Sequence, residues 1–161
     1  EVFSVTGLSR SQSPFHVYTV AETSKSILAR NQLSVNPRYA LADCPPPSIL
    51  LVPGGWGTRQ QMNNPAILQW IKETAAKTEL VLSVCTGALL LAKAGLLDGL
   101  RATTHYAALD LLRQTAPNTT VISDRRFVDN GKIILSAEII WLFLLVIIGA
   151  TPQTWMLLAT L

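Results

Sequence analysis

Two stretches of the chain run apolar without interruption and then break at glycine: Ile49–Gly55, "ILLVPGG", and Leu80–Gly87, "LVLSVCTG". A strand with one buried face alternates polar and apolar residues, so an unbroken run implies burial on both faces, the environment of inner strands in a parallel sheet. Each run leads into a helical pattern. "NPAILQWIKETAAK" spaces Ile67, Leu68 and Ile71 at helical intervals behind an Asn64-Pro65 start signal. "TGALLLAKAGLLDG" reads as a second helix closed by Gly99, and "RATTH" after it as a short strand. This alternation predicts an α/β fold, a three-layer sandwich whose mostly parallel sheet carries helices on both faces.

The flanking segments extend the pattern. "FHVYTVAE" (Phe15–Glu22) alternates and reads as a strand, with a loop or short hairpin after it. Asn130-Gly131 between the apolar runs of "RFVDNGKIILSA" predicts a hairpin. The run Ile139–Ala150 is short of the roughly 20 residues that a membrane-spanning helix needs, and is expected to pack as a helix over the sheet. A chain of 161 residues, 49% hydrophobic and 14% charged, suits a single domain spanning residues 1–161. The net charge of +3 is scattered, with "DRR" at Asp124–Arg126 the nearest thing to a basic cluster, so this domain is not expected to bind nucleic acid. No signal peptide opens the chain and no membrane partner is expected. Glu1 reads as the middle of an element, which suggests a chain lacking its true beginning.

The two cysteines sit in unlike contexts, which argues against a disulfide and for a reducing, cytoplasmic setting. Cys44 lies in the Pro-rich "ADCPPP" and is expected to have no chemical role. Cys85 is different. It ends a buried-strand pattern where a helix begins, the geometry of a nucleophile elbow, with backbone N–H groups at Thr86 placed to favour a thiolate. The plainer reading of Cys85 is a small buried hydrophobe. Gly54 and Gly55 would let backbone approach a substrate, and the N–H groups of Gly55 and Thr86 would form an oxyanion-hole-like pair; a tight turn without a ligand explains the glycines equally well. Thr86 would orient substrate or thiolate, cap the helix, or do both. His105 is either a partner for Cys85 or a structural residue lining the site. Trp56 lines a pocket or packs on a neighbouring helix or subunit, and His16 is a strand residue. Two cysteines and two histidines at these spacings match no metal-ligand set, and no phosphate-cradling loop is present.

"LLVPGG", "SVCTGALLLAKAGLLDGLRATTHY" and "DRRFVDNGKIILSA" together resemble the ThiJ/PfpI superfamily, whose fold is like that of class I glutamine amidotransferases. Within it the chain is similar to the isocyanide hydratase group and to the amidotransferase-like sensor domains of AraC-type regulators, from about Phe15 to Ala137. Two departures stand out. The family's opening strand and the acid that lies against the cysteine would precede Glu1, and several residues of the family pattern are missing after Ala137. The resemblance implies a homodimer and a cofactor-independent lyase that adds water to an isocyanide, giving an N-substituted formamide through the Cys85 thiolate, with the upstream carboxylate as proton donor. It leaves two alternatives open: a glyoxalase- or deglycase-like enzyme using Cys85 and His105 on reactive dicarbonyls, and a non-catalytic ligand-sensing domain of a transcription regulator.

Overall fold

A computed structural model describes Phe3, residues 15–29 and 32–138, and the backbone of 153–158. The strands are β1 Phe15–Ala21, β2 Ile27–Leu28, β3 Ser34–Val35, β4 Tyr39–Ala40, β5 Ile49–Val52, β6 Leu80–Val84, β7 Arg101–Ala102, β8 Thr120–Val121, β9 Phe127–Asp129, β10 Ile133–Ser136 and β11 Gln153–Leu158. The helices are α1 Thr58–Gln61, α2 Pro65–Lys77, α3 Gly87–Lys93 and α4 Leu109–Thr115, with a single 3-10 turn at Tyr106–Ala108.

The unbroken apolar runs become β5 and β6, buried at nearly every position. They pair in parallel at the middle of a seven-stranded sheet ordered β4-β1-β11-β5-β6-β10-β9. Every neighbouring pair in it is parallel except β10 with β9, the hairpin expected at Asn130-Gly131, where Gly131 adopts φ +80°. β2 and β3 form the short hairpin after β1. The sheet is therefore that of an α/β fold. One of its faces packs against α2, α3 and α4, with Leu50, Val52, Ile71, Leu89, Leu90 and Leu112 in a continuous core. The other face gathers Phe15, Ile49, Leu51, Leu82, Val84 and Ile134. The expected helix over Ile139–Ala150 lies outside the described residues, and no helix among the described residues is long and apolar enough to cross a membrane.

α2 starts where Asn64-Pro65 predicts. Asn64 is its N-cap, its side-chain oxygen accepting from the amides of Ala66 and Ile67 at 3.1 and 3.4 Å, with proline in the first turn. Two local expectations are corrected. α3 does not run on to Gly99: it ends at Lys93, because Gly95 takes the left-handed φ of +73° and the amides of Gly95 and Leu96 turn back onto the carbonyls of Ala92 and Leu91. Gly99, also left-handed, serves the next turn, donating to the Asn118 carbonyl. "RATTH" is likewise no strand of the main sheet. Only Arg101 and Ala102 are extended, paired with β8 in a separate two-stranded sheet, and the chain leaves that sheet before reaching His105.

Candidate active site

The carboxyl ends of β5 and β6 lie side by side, and the turns that follow them meet. Cys85, the residue after β6, has φ +55°, a left-handed conformation that a non-glycine residue adopts only where its surroundings enforce it. Its backbone is held on both sides: the Cys85 N–H donates to the Ser136 carbonyl at 2.8 Å, and the Thr104 hydroxyl donates to the Cys85 carbonyl at 2.8 Å. Thr104 is itself 1% exposed. The sulfur makes no hydrogen bond to any described residue, and Cys85 is half-buried against the apolar cluster that includes Ile49, Leu51 and Val84. A thiol with no such bond on a pinned, strained elbow is the arrangement a nucleophile requires, since reaction then needs no reorganisation of the backbone.

Glycine is required on both sides of the elbow for reasons of space. A Cβ on Gly54 would stand 2.7 Å from the Cβ of Cys85, 2.7 Å from the Thr86 nitrogen and 2.8 Å from the Val84 carbonyl oxygen. A Cβ on Gly87 would stand 2.2 Å from the Val52 carbonyl oxygen, so the start of α3 is seated directly on the end of β5. Gly55 needs glycine for another reason, its φ of +143°.

Thr86 links the two turns. Its hydroxyl accepts from the Gly55 N–H at 2.9 Å and donates to the Gly55 carbonyl at 3.1 Å; it does not cap α3. The Gly55 carbonyl also accepts from the hydroxyl of Thr58, a fully buried residue, at 2.7 Å. The Gly55 amide expected to face developing charge is thus committed to the Thr86 side chain, and the two glycines and Thr86 form one cross-braced unit.

His105 precedes the 3-10 turn and caps it, its Nδ1 accepting from the Ala107 N–H at 3.3 Å. That bond leaves the neutral ring's proton on Nε2. The imidazole lies against the Tyr106 ring, tilted 38° to it with centroids 4.3 Å apart. It stands next to Thr104, whose hydroxyl donates to the Cys85 carbonyl, but no hydrogen bond joins His105 to Cys85. Trp56 follows Gly55 and is 66% exposed, with the Arg59 guanidinium 4.9 Å from its ring centroid. Thr104, Thr58 and Ser136 escaped the sequence reading. Their signal was weak: small polar residues beside recognisable ones, whose hydrogen bonds span distant parts of the chain.

Cys44 is half-buried, its sulfur donating to the Pro45 carbonyl at 3.2 Å, and the Tyr18 hydroxyl donates to the same carbonyl at 3.0 Å. Burial, aided by the charge of Asp43 and only partly offset by a hydrogen bond with Tyr18, pushes the Cys44 thiol up to about 11. Burial is also the main cause of the Tyr18 phenol being raised above its ordinary range. His16 lies on β1, exposed, beside the Tyr18 ring. Among the described residues no three His, Cys, Asp or Glu side chains gather as a metal site would need.

The sequence pattern of the DJ-1/PfpI family matches residues 3–148. The isonitrile hydratase of Pseudomonas putida is 41% identical over 96 residues, covering 60% of this chain and 42% of that protein. The HTH-type transcriptional regulator CdhR of Pseudomonas aeruginosa is 33% identical over 107 residues, covering 66% of this chain and 32% of the regulator. The crystal structure of a ThiJ/PfpI family protein from Pseudomonas syringae superposes with a TM-score of 0.70 at 28% identity, covering 77% of this chain and 51% of the other. The chain therefore spans less than half the length of either the hydratase or the regulator.

Proposed function

The chain belongs to the DJ-1/PfpI family, and on that premise we propose that it is an isocyanide hydratase-like enzyme with Cys85 as nucleophile. The observation that carries this reading is the left-handed backbone of Cys85, braced by Ser136 and Thr104 with its sulfur bonded to nothing described. The likeness to the Pseudomonas putida isonitrile hydratase supports the choice of substrate. In this reading the thiolate forms a bond to the terminal isocyanide carbon and a proton adds to that same carbon, leaving an S-linked formimidate. Protonation of its nitrogen then activates the carbon for water. The water oxygen forms the new C–O bond and becomes the carbonyl oxygen, the S–C bond breaks with the leaving thiolate taking its electron pair, and both protons of that water return to solvent, balancing the two taken up. The sum is one water added and one N-substituted formamide released. Substrate and product are small neutral molecules, and the reaction needs no cofactor. In this reading the two protons come from solvent. A homodimer and a cytoplasmic setting go with it.

A second reading rests on the likeness to CdhR: the same fold serving as the ligand-sensing part of a regulator, with Cys85 not turning over. The dicarbonyl alternative has less support, because His105 is bonded to Ala107 and not to Cys85. The deciding experiment supplies the protein with an alkyl isocyanide and, separately, with methylglyoxal. The expected result is formamide from the isocyanide, abolished in Cys85→Ala. His105→Ala should lower the rate less than the roughly 10²–10⁴-fold typical of losing a general acid or base. Turnover of methylglyoxal alone would select the dicarbonyl enzyme, and binding of a small molecule without turnover of either would select the sensor.

A further inference from the structure

Arg101, Arg125 and Arg126 stand around one cleft of about 340 Å³ together with Phe127, Asp124 and Asp129. The chain is poor in charge, with 13 Lys and Arg in all, so three arginines at one cleft form a local concentration. Among the described residues, other arginines are engaged: Arg113 bonds Asp110 at 2.7 Å, the Arg59 guanidinium lies 4.9 Å from the Trp56 ring centroid, and that of Arg38 6.0 Å from the Tyr39 centroid. The Arg101 and Arg125 guanidiniums have no ion-pair partner among the described residues. Of the two carboxylates at the cleft, Asp129 is engaged, accepting from the Gly131 N–H at 2.7 Å.

The rim that carries these side chains is rigid. The Asn130 side chain bonds both the N–H and the carbonyl of Arg101, the Thr103 hydroxyl bonds the Arg125 carbonyl, and the Ala137 N–H bonds the Arg126 carbonyl. A ligand therefore has to order side chains and not backbone, which keeps the entropic cost of binding small. Phe127, on β9 at the edge of the sheet, is 41% exposed.

We propose that this cleft is a second small-molecule site, separate from Cys85, for a ligand that joins a single oxyanion, carboxylate or phosphate, to a planar apolar body. Arg101 and Arg125 take the oxyanion, since the guanidinium fork matches both groups in paired, charge-assisted hydrogen bonds. The Phe127 ring takes the planar body. The cleft volume lies within the ~300–1,000 Å³ of small-ligand pockets. Asp124 and Asp129 offset part of the positive charge, which favours a lone oxyanion over a polyanion such as a nucleic-acid backbone.

Phenyl phosphate and benzoate, titrated separately into the protein at low ionic strength and followed by calorimetry, test this and distinguish phosphate from carboxylate. At least one should bind saturably, and Arg125→Gln should weaken it by about tenfold or more, the effect of losing a charge-assisted pair. Arg125 contributes only its carbonyl to the fold, so the variant should keep the native circular dichroism. Lys25→Gln removes the same charge from the loop after β1, toward the opposite edge of the sheet, and should leave binding unchanged. Phenyl phosphate should bind more tightly than inorganic phosphate, with the difference reduced in Phe127→Leu. Absence of saturable binding by both probes at millimolar concentration would overturn the proposal. So would equal weakening by Arg125→Gln and Lys25→Gln, which would reduce the effect to overall charge.

Discussion

Cys85 and Cys44 are chemically the same side chain in two environments. Burial holds Cys44 as a thiol, raised from 9.0 to about 11, whereas the sulfur of Cys85, a residue equally half-buried, is hydrogen-bonded to nothing described. Iodoacetamide should therefore label Cys85 first at neutral pH, and Cys44 labelling should climb only as pH approaches 11; peptide mapping of the adducts across pH measures both. The sign for stability follows. Between pH 9 and 11 the unfolded chain loses the Cys44 proton while the folded one keeps it, so Cys44 contributes stability below that window which is lost as pH rises through it. Gly54 offers a steric test at the same scale. Gly54→Ala places a methyl 2.7 Å from the Cys85 Cβ and 2.8 Å from a backbone oxygen, neither of which can yield cheaply. A loss of roughly 1–3 kcal/mol in denaturant unfolding, with slower Cys85 alkylation, is the expected outcome.

Among the elements, α2 depends on local chemistry and α3 on its setting. Asn64 accepts from two amides at the start of α2, so Asn64→Ala should cost about 1 kcal/mol and lower Tm by about 2–4 °C in a domain of this size, leaving Cys85 labelling unchanged. α3 is only seven residues long and lacks a side-chain cap; it is held because Gly87 lets it sit against Val52 and because Ala88, Leu89, Leu90 and Leu91 are fully buried. Such a helix has little intrinsic stability. The residue pattern alone extends it to Gly99, because Leu96 and Leu97 continue the apolar series beyond Lys93, and the left-handed turn at Gly95 ends it.

For the whole molecule, a homodimer is the expected state, and light scattering at micromolar concentration should give twice the monomer mass. Trp56 and Tyr106, 66% and 77% exposed, are large rings near the elbow that an interface would cover; a mass of one chain would reject the expectation. The α/β class, β5, β6, α2, the β9–β10 hairpin and the elbow cysteine were legible in the sequence. Their signals are local: an apolar run too continuous for a one-faced strand, Asn64-Pro65 at a helix start, Asn130-Gly131 in a tight turn. Only the tertiary structure decided what surrounds Cys85. The Thr104 hydroxyl, the Ser136 carbonyl and the reciprocal bonds between Gly55 and Thr86 join residues far apart in the chain, and β11 enters between β1 and β5 from the far end of the sequence. His105 lies outside the main sheet for the same reason. Propensity and periodicity report how a segment prefers to fold, whereas the partner of a hydroxyl or a strand edge depends on where the intervening chain delivers it, which no short stretch of residues encodes.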